Sequence, residues 1–320
     1  MSTSGTAPRV TLGMPVYNAE RYLAETLDCL LAQDYRDFEI VVSDNASTDR
    51  TAEICLDYRH RDPRVSYHRN DENLGAAFNY SRLVGIARGE YFKWASYDDL
   101  LAPNHLSECV AALDRCPNAV IAYPKTSIID GDGRVVGQND DRLQLLEAEP
   151  WRRLSTFTRN WNLAGPCFGL MRVDVMRRTR LIEPYLSSDL PFLADMALHG
   201  MFVEIPDRLF FRRVHATSSV QGDVTRAQTA AWFDPRRPAP LLGPRTLVFV
   251  HTVRTVACSE FDAVTRLRCL VAFVTTWTVR RLRVRGGRAK AVLRRALDRD
   301  RRPDPRGGPL VDVLRSGRSR

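Results

Sequence analysis

The stretch Tyr91-Phe-Lys-Trp-Ala-Ser-Tyr-Asp-Asp-Leu-Leu-Ala-Pro103 decides how the rest of this chain folds. Its apolar start predicts a short buried strand at residues 91–95, which delivers two adjacent carboxylates, Asp98 and Asp99, at its carboxyl end. That edge of an open α/β sheet is where ligands bind, and paired carboxylates repel unless a cation or several donors satisfy them. Residues 100–103 predict the start of a helix, since proline suits a first turn. A turn with a helix N-cap is the alternative for one of the two carboxylates.

Three strand–helix units precede this strand. Strands are predicted from residue 9, at 38–43 and at 65–68, and helices at 19–33, around 54–58 and at 76–87. Such an alternation predicts a parallel sheet built from right-handed crossovers. Pro15 must end the first strand or lie at a sheet edge, because proline has no N–H for a central ladder. The predicted fold class is α/β, a Rossmann-like and mostly parallel sheet flanked by helices.

The loop Asp44-Asn-Ala-Ser-Thr-Asp-Arg-Thr51 follows the second strand. Asp44 stands directly at the end of that strand, in the same position as Asp98 on its own strand. Ser47 and Thr48 are interpreted as an N-cap cluster of the next helix. The chain contains neither GxGxxG nor GxxxxGK[ST], so a classical dinucleotide turn and a P-loop are both excluded.

Residues 103–215 are predicted to add a helix, strands, a hairpin and a further helix. The helix covers 103–116, the first strand covers 120–123, and the hairpin covers 127–136 around Asp130-Gly-Asp-Gly133, which lacks the spaced ligands of a calcium loop. Residues 140–165 are polar and loop-like, and strands are predicted at 166–172, 202–205 and 209–215. Asp189 stands at the N-terminus of a helix, where a capping carboxylate also fits.

The C-terminal third differs in composition from the rest. Residues 1–215 are predicted to be one domain, 216–283 a connector and helical extension with a proline-rich part at 226–245, and 284–320 a basic, disordered tail with a short helix near 288–299. Of the net charge of +9, residues 280–320 carry +11, from 15 basic and 4 acidic side chains, which leaves −2 for the preceding 279 residues. Seven cysteines without a CxxC pair and an N-terminus without a signal-peptide pattern predict a cytoplasmic protein.

Five spaced elements within residues 8–215 resemble the family 2 glycosyltransferases of the GT-A fold. They are, in the family's order, Met14-Pro-Val-Tyr-Asn18, Val41-Val-Ser-Asp-Asn-Ala-Ser-Thr-Asp49, Asn73-Leu-Gly75, Gly89-Glu-Tyr-Phe92 and Tyr97-Asp-Asp99. The resemblance implies metal-dependent, inverting transfer of a sugar from a nucleotide diphosphate sugar, with UDP or dTDP as the nucleotide. The acceptor would be a hydroxyl group in a cell-envelope polysaccharide, a glycolipid or a secondary metabolite.

The same resemblance implies which residues hold the nucleotide. Pro15, Tyr17 and Asn18 match positions that line the base and ribose, and Asn73 belongs to the nucleotide-sugar site. Asp44 matches the carboxylate that reads the base, by accepting a hydrogen from a pyrimidine N3.

On the diphosphate side, Asp98 and Asp99 match the end of the family's DxD-type motif. Asp98 would contact the ribose, and Asp99 would bind Mg²⁺ or Mn²⁺ on the diphosphate. Ser96 stands where many members have an additional aspartate. His215, in Arg213-Val-His215, matches a histidine that closes over the diphosphate and reaches the metal in some relatives.

The chemistry needs a base as well as a cation. The departing diphosphate gains negative charge, and the sugar passes through an oxocarbenium-like transition state. A carboxylate on the opposite face takes the acceptor's proton, and Asp189 matches the family's general base. Asp195 is the competing assignment, with a surface or paired role as its other interpretation. The QxxRW motif of processive members is absent after Gln221, which disfavours a polymerising synthase.

Two other functions remain as alternatives. The chain could be a catalytically inactive GT-A domain that binds a sugar nucleotide or a partner. A nucleic-acid binder is disfavoured, because the part before the tail is near neutral and carries no aromatic RNA-binding motif. For the tail, contact with an anionic membrane at the inner face of the cell membrane is predicted, helped by the apolar residues 270–279. A buried helix with a solvated tail is the other reading of the same residues.

Overall fold

The structure is a computed structural model that describes residues 7–161, 165–215 and 225–300, with side chains as far as Arg283. Strands and helices alternate in its first half. The strands are β1 Val10–Val16, β2 Phe38–Asp44, β3 Val65–Arg69, β4 Tyr91–Trp94, β5 Leu100–Leu101, β6 Ala119–Ile129, β7 Val135–Asn139, β8 Leu170–Arg172 and β9 Met201–Arg213. The helices are α1 Leu23–Leu31, α2 Thr51–Arg61, α3 Ala76–Ile86, α4 His105–Arg115, α5 Pro150–Asn160, α6 Val173–Met176, α7 Asp189–His199, α8 Arg226–Phe233, α9 Pro244–Ala257 and α10 Ala263–Asp300.

The described strands form one sheet in the order β3-β2-β1-β4-β8-β6-β9-β5, with β7 paired to β6. The neighbours β1/β2, β2/β3, β1/β4 and β6/β9 are parallel, whereas β8, β5 and β7 pair antiparallel. The predicted α/β class with a mostly parallel sheet is thus confirmed.

Burial explains why these segments form strands and helices. Every residue of β1, β2 and β4 is buried, as expected for central strands covered on both faces. In α1, Leu23, Leu27 and Leu30 recur at helical spacing and are buried. Each fully buried side chain of this size stabilises the fold by roughly 1.5–3 kcal/mol.

Two predictions next to the site differ in outcome. Pro15 does not end β1, which runs to Val16, but the pairing of β1 with β4 stops at Gly13, so Pro15 lies at a local edge on that side and has no ladder bond to lose there. Leu100 and Leu101 do not begin a helix. They form β5, since they pair antiparallel with Phe211 and Phe210 of β9, and the helix begins only at His105.

Further differences lie after residue 140. The loop predicted for 140–165 contains α5, the proline-rich connector contains α8, and the strand predicted at 166–172 is only β8, preceded by a 3-10 turn at Gly165–Phe168. The two strands predicted for 202–215 form one long strand, β9, because it pairs with β6 along its length. The hairpin at 127–136 is confirmed as β6 and β7. Residues 284–300 continue α10, and 301–320 lie outside the described residues, so the predicted disordered tail with a short helix near 288–299 stays a prediction.

The chain divides into two compact units, Met1–Val274 and Thr275–Arg320. The first contains the sheet and its flanking helices. The second, as far as the structure describes it, is the continuation of α10. The predicted boundaries at 215 and 283 stay predictions. In the described part of the chain, no helix is both long and apolar enough to cross a membrane.

Candidate functional site

Several strands end at the same edge of the sheet. β1, β2 and β4 are parallel. β8 is antiparallel to both β4 and β6, and β6 is parallel to β9, so β9 runs in the same direction as β4. Asp44 ends β2, Asp98 and Asp99 follow β4, and His215 follows β9. The fold therefore brings these predicted residues to the edge where α/β sheets bind ligands.

Asp44 is fully buried and accepts four hydrogen bonds. One carboxylate oxygen accepts from the backbone N–H of Ser47 (2.8 Å) and from its hydroxyl (2.6 Å), and the other accepts from Tyr67 Oη (2.6 Å) and Arg69 Nη1 (2.7 Å). A carboxylate has about four acceptor sites, so all of them are occupied here. Base recognition by Asp44 stays a prediction and requires one of these donors to move. Arg69, whose side chain is 43% exposed, is the donor nearest to solvent.

Asn18 links the end of β1 to the loop after β2. Its side-chain oxygen accepts from the N–H of Thr48 at 2.8 Å, and its own N–H donates to Ser47 Oγ at 3.0 Å. Asn18 has φ 50°, a left-handed conformation that asparagine tolerates better than most residues. Ser47 and Thr48 therefore hold this turn. They do not cap α2, which begins at Thr51 without a side-chain cap.

The other predicted nucleotide residues surround this turn. Asn73 accepts from Asn45 Nδ2 at 2.7 Å and from the N–H of Gly75 at 2.9 Å, so it ties the loop before α3 to the loop after β2. Pro15 is buried within β1, whereas Tyr17, directly after the strand, is 42% exposed. Tyr17 thus has the exposure expected of a residue that stacks on a ligand, and Pro15 has a mainly structural position.

Asp98 and His215 are brought together across the sheet edge. His215 Nε2 lies 2.9 Å from Asp98 Oδ2, and the histidine side chain is almost completely buried. The ring of Tyr22 packs on the imidazole with 5.0 Å between centroids. The predicted proximity of His215 to the DxD-type motif is therefore present, although the two residues lie far apart in the sequence.

Asp99 lies deeper than Asp98. Its carboxylate accepts from the backbone N–H of Arg213 at 2.8 Å. Burial, and after it the negative charge of Asp98, raises the pKa of Asp99 to about 7. Ionisation of a carboxyl group in this position is unfavourable, and a nearby cation would favour the charged form.

Arg213 supports both aspartates. Its guanidinium donates to the backbone oxygen of Asp98 at 2.8 Å, to that of Gly131 at 3.1 Å and to Glu25 at 2.8 Å. Its side chain is buried and stacks over the ring of Tyr22. This arginine was named only as part of the Arg-x-His pattern, and its contacts could not be found from the sequence, since they reach α1 and the turn between β6 and β7.

Asp189 begins α7 as predicted. Burial raises the pKa of its carboxyl group, and the positive charge of Arg212 acts in the opposite direction. The positive charge of Arg212 also lowers the pKa of Asp99, so this cation lies within electrostatic range of both carboxylates. Asp195, the competing candidate, lies further along α7 and is buried with its carboxylate 3.5 Å from His199. That geometry favours the paired interpretation of Asp195.

Lys93 is a further buried charge that sequence reasoning did not use, although a lysine inside an apolar strand is a visible signal. Its ammonium donates to the backbone oxygen of Phe168 and lies 5.0 Å above the ring centre of Phe210. Burial lowers its pKa to about 8.

The donor set at this edge can be compared with the needs of a divalent ion. Among the residues that the structure describes, no three His, Cys, Asp or Glu side chains form a metal-holding group by themselves. Mg²⁺ is commonly held by one or two carboxylates together with substrate phosphates, not by a closed protein cage. Asp99, with Asp98 and His215 beside it, provides donors of that kind, and its raised pKa would fall if a cation bound. These residues therefore fit an ion shared with a diphosphate.

The fold is shared with proteins whose structures were solved in complex with nucleotide sugars. S. aureus TarS, solved in complex with UDP-GlcNAc, matches with a TM-score of 0.62 at 17% identity over 84% of this chain and 72% of that chain. Mannosyltransferase PcManGT of Pyrobaculum calidifontis, in complex with GDP-Man and Mn²⁺, matches with a TM-score of 0.52 at 17% identity over 91% and 80%. At such identities the likeness establishes the fold, which is a GT-A-type α/β domain.

The sequence comparison identifies the family. Residues 11–179, more than half of the chain, match the model of glycosyl transferase family 2, and the chain belongs to this family. An uncharacterized glycosyltransferase of Rickettsia typhi is 36% identical over 125 residues, which are 39% of this chain and 38% of that relative. The chain thus spans well under half the length of that relative. The expectation drawn from the spaced motifs is confirmed.

Proposed function

We propose that this protein transfers a sugar from a nucleotide diphosphate sugar to a hydroxyl acceptor with inversion at the anomeric carbon. The observation that carries the proposal is the meeting of Asp98, Asp99 and His215 at the carboxyl edge of the sheet, with Asp44 at the end of β2 on the same edge. Membership of glycosyl transferase family 2 supports it.

Nucleotide binding is assigned to the ends of β1 and β2. Tyr17 would stack on the base, while Asn18 and Asn73 keep the two loops in place. We retain UDP or dTDP as the preferred nucleotide, with Asp44 or its partner Arg69 reading the base. TarS was solved with UDP-GlcNAc and PcManGT with GDP-Man, so this fold accommodates more than one base.

The diphosphate is assigned to the site at Asp98 and Asp99, within electrostatic range of Arg212. Asp99 and Asp98, with His215, would hold Mg²⁺ or Mn²⁺. When bound, such an ion neutralises negative charge on the leaving diphosphate. Arg213 keeps Asp98 and Asp99 in place through its backbone N–H and its guanidinium. The positive charge of Arg212 would face the same phosphates.

Asp189 is assigned as the general base. The acceptor oxygen forms a bond to the anomeric carbon, the bond from that carbon to the diphosphate oxygen breaks, and the acceptor's proton passes to the Asp189 carboxylate. A raised pKa makes this carboxylate a stronger base than an ordinary exposed aspartate. One displacement needs no second nucleophilic carboxylate. The acceptor class and the cytoplasmic location are part of the same proposal.

The first test measures nucleotide release from a panel of UDP-, dTDP- and GDP-sugars with Mn²⁺. Asp99→Asn and Asp189→Asn are expected to lower turnover by about 10²–10⁴-fold, because each removes a charge that the reaction needs. Asp195→Asn, on the same helix as Asp189, is the matched control and is expected to remain within a few-fold of the wild type.

A second readout separates binding from chemistry. Mn²⁺ together with UDP is expected to raise the melting temperature of the wild type and of Asp189→Asn, but hardly that of Asp99→Asn. Stabilisation by a sugar nucleotide without any turnover in the wild type would instead support the alternative, a catalytically inactive nucleotide-sugar-binding domain. Loss of turnover in Asp195→Asn but not in Asp189→Asn would exchange the assignment of the base.

A further inference from the structure

The outer face of α10 carries a row of exposed apolar side chains. Its members recur at spacings of three and four residues, so they lie on one face of the helix. We call this row the α10 stripe; it consists of Val264, Leu267, Val271 and Val274, which are 60%, 61%, 54% and 41% exposed.

The opposite face of the same helix segment is packed. Cys269 and Phe273 are fully buried, and the ring of Phe273 stacks on Phe249 of α9 with 5.5 Å between centroids. The apolar run predicted at 270–279 therefore contributes to both faces. α10 is docked through Phe273 and still leaves the stripe in solvent, so the core does not explain these apolar residues.

The charged side chains of the helix that carries the stripe are all positive as far as residue 297, whereas Glu260 and Asp262 lie just before it. Residues 263–297 contain ten basic and no acidic side chains. Arg268 is exposed and stands four residues after Val264 and three before Val271, which makes it a surface neighbour of both. A helix with an apolar face and flanking arginines suits the interface of a bilayer, where apolar groups enter the acyl boundary and cations meet anionic headgroups.

The stripe could instead pack against the stripe of a second copy of the chain, because apolar residues spaced three and four positions apart are also typical of a coiled coil. Pairing would bring the positive charges of two such helices together, and α10 has no acidic residue before Asp298 to compensate them, which is unfavourable. Nucleic acid would use the arginines but would leave the stripe in water. The charge pattern therefore favours an anionic lipid surface.

We propose that the α10 stripe and the arginines beside it form a membrane-contact surface for anionic phospholipid. The stripe lies entirely within the compact unit that ends at Val274, as do Arg266 and Arg268 beside it. The proposal goes beyond sugar transfer, and it stands or falls separately from it, since vesicle binding and nucleotide release are different measurements.

The test is flotation of the full-length protein with phosphatidylcholine vesicles and with vesicles that also contain phosphatidylglycerol. The wild type is expected to float with the anionic vesicles and much less with the neutral ones. The double variant Leu267→Ser/Val271→Ser is expected to lose about tenfold or more in partitioning, because two apolar side chains no longer enter the bilayer. Both positions are exposed, so the variant should unfold at the wild-type temperature.

A matched control removes two exposed apolar side chains elsewhere. Val135 and Val136 of β7 are 59% and 62% exposed, and Val135→Ser/Val136→Ser is expected to float like the wild type. The proposal is overturned if the wild type does not float with anionic vesicles, if the stripe variant floats as well as the wild type, or if the control loses as much. It is also overturned if sedimentation without lipid shows that the wild type and the control variant are dimers and the stripe variant is a monomer.

Discussion

Asp99 occupies a position that disfavours its own charge. It is buried and lies beside the negative charge of Asp98. Its carboxylate accepts a hydrogen bond from the backbone N–H of Arg213, which favours the charged form only in part. Asp44 illustrates the opposite arrangement, since four donors surround its carboxylate. The difference between these two buried aspartates is a difference in partners. It explains why Asp99, and not Asp44, is the residue that would gain most from a bound cation.

Replacing Asp99 by Asn should change stability in a pH-dependent way. The pKa of Asp99 in the folded state is about 7, above the ordinary value of 3.8. The folded state therefore binds more protons than the unfolded chain between these values, and stability due to this group falls as the pH rises through that window. Asp99→Asn keeps the acceptor for Arg213 and removes the titration. It is expected to stabilise the free protein by ~1–3 kcal/mol at about pH 8 and by clearly less at about pH 5.

Thermal unfolding at both pH values, without divalent ions, checks this expectation. Asp98→Asn should have a smaller effect of the same sign, because it removes a neighbouring negative charge and leaves Asp99 buried. An Asp99→Asn variant that is less stable than the wild type at both pH values would contradict the expectation.

At the scale of the elements, the start of α3 is fitted against the end of α8. Gly75 caps α3 with φ 86°, in the left-handed region. A Cβ at this position would lie 2.7 Å from Asp234 Cα and would also meet the backbone oxygen of Phe233. Two structural features thus require glycine at position 75: its backbone conformation and the close approach of the chain segment at the end of α8.

Gly75→Ala should therefore destabilise the protein, on the order of 2 kcal/mol or more, because α8 has to shift and the positive φ is strained. Gly85→Ala is the matched control within the same helix, where an added Cβ meets nothing within 4 Å. It should be neutral or stabilise by up to about 1 kcal/mol, since alanine favours the helix. Denaturant unfolding of the two variants measures the change in the free energy of unfolding for each of them. Equal effects would show that α8 does not pack on Gly75.

At the scale of the whole molecule, charge is separated along the sequence. The 279 residues before the basic segment carry a net charge of −2, and the last 41 carry +11. The sheet and its carboxylates thus belong to the near-neutral part. Binding of polyanions should depend on the basic segment and should carry no information about their sequence.

Binding to duplex DNA is therefore expected to be weak, with a Kd of about 10⁻⁴–10⁻⁶ M near physiological salt, and to fall steeply as salt is added. Two duplexes of the same length and different sequence should bind equally well in fluorescence anisotropy. A preference of about tenfold or more for one duplex that persists in high salt would contradict the absence of a specific nucleic-acid partner.

The sequence by itself determined the repeating strand–helix units, the position of Asp98 and Asp99 after β4, the start of α7 at Asp189 and, through its spaced motifs, the family. These features are local, because hydrophobic periodicity, capping and turn residues act within a few positions of one another. The helix in 150–160 was missed because the segment is polar on average, although Trp151, Leu154 and Phe157 recur at helical spacing. The strand at 201–213 was predicted as two shorter strands, since Pro206 and Asp207 interrupt its apolar pattern.

Only the tertiary structure decided which distant groups meet. Leu100 and Leu101 became a strand because β9 pairs with them, and His215 reached Asp98 across 117 positions of sequence. The four donors around Asp44 and the burial that raises the pKa of Asp99 likewise come from separate segments. Strand pairing, burial and the proximity of charges are properties of the folded chain. Local sequence patterns indicate only which residues could take part in such contacts.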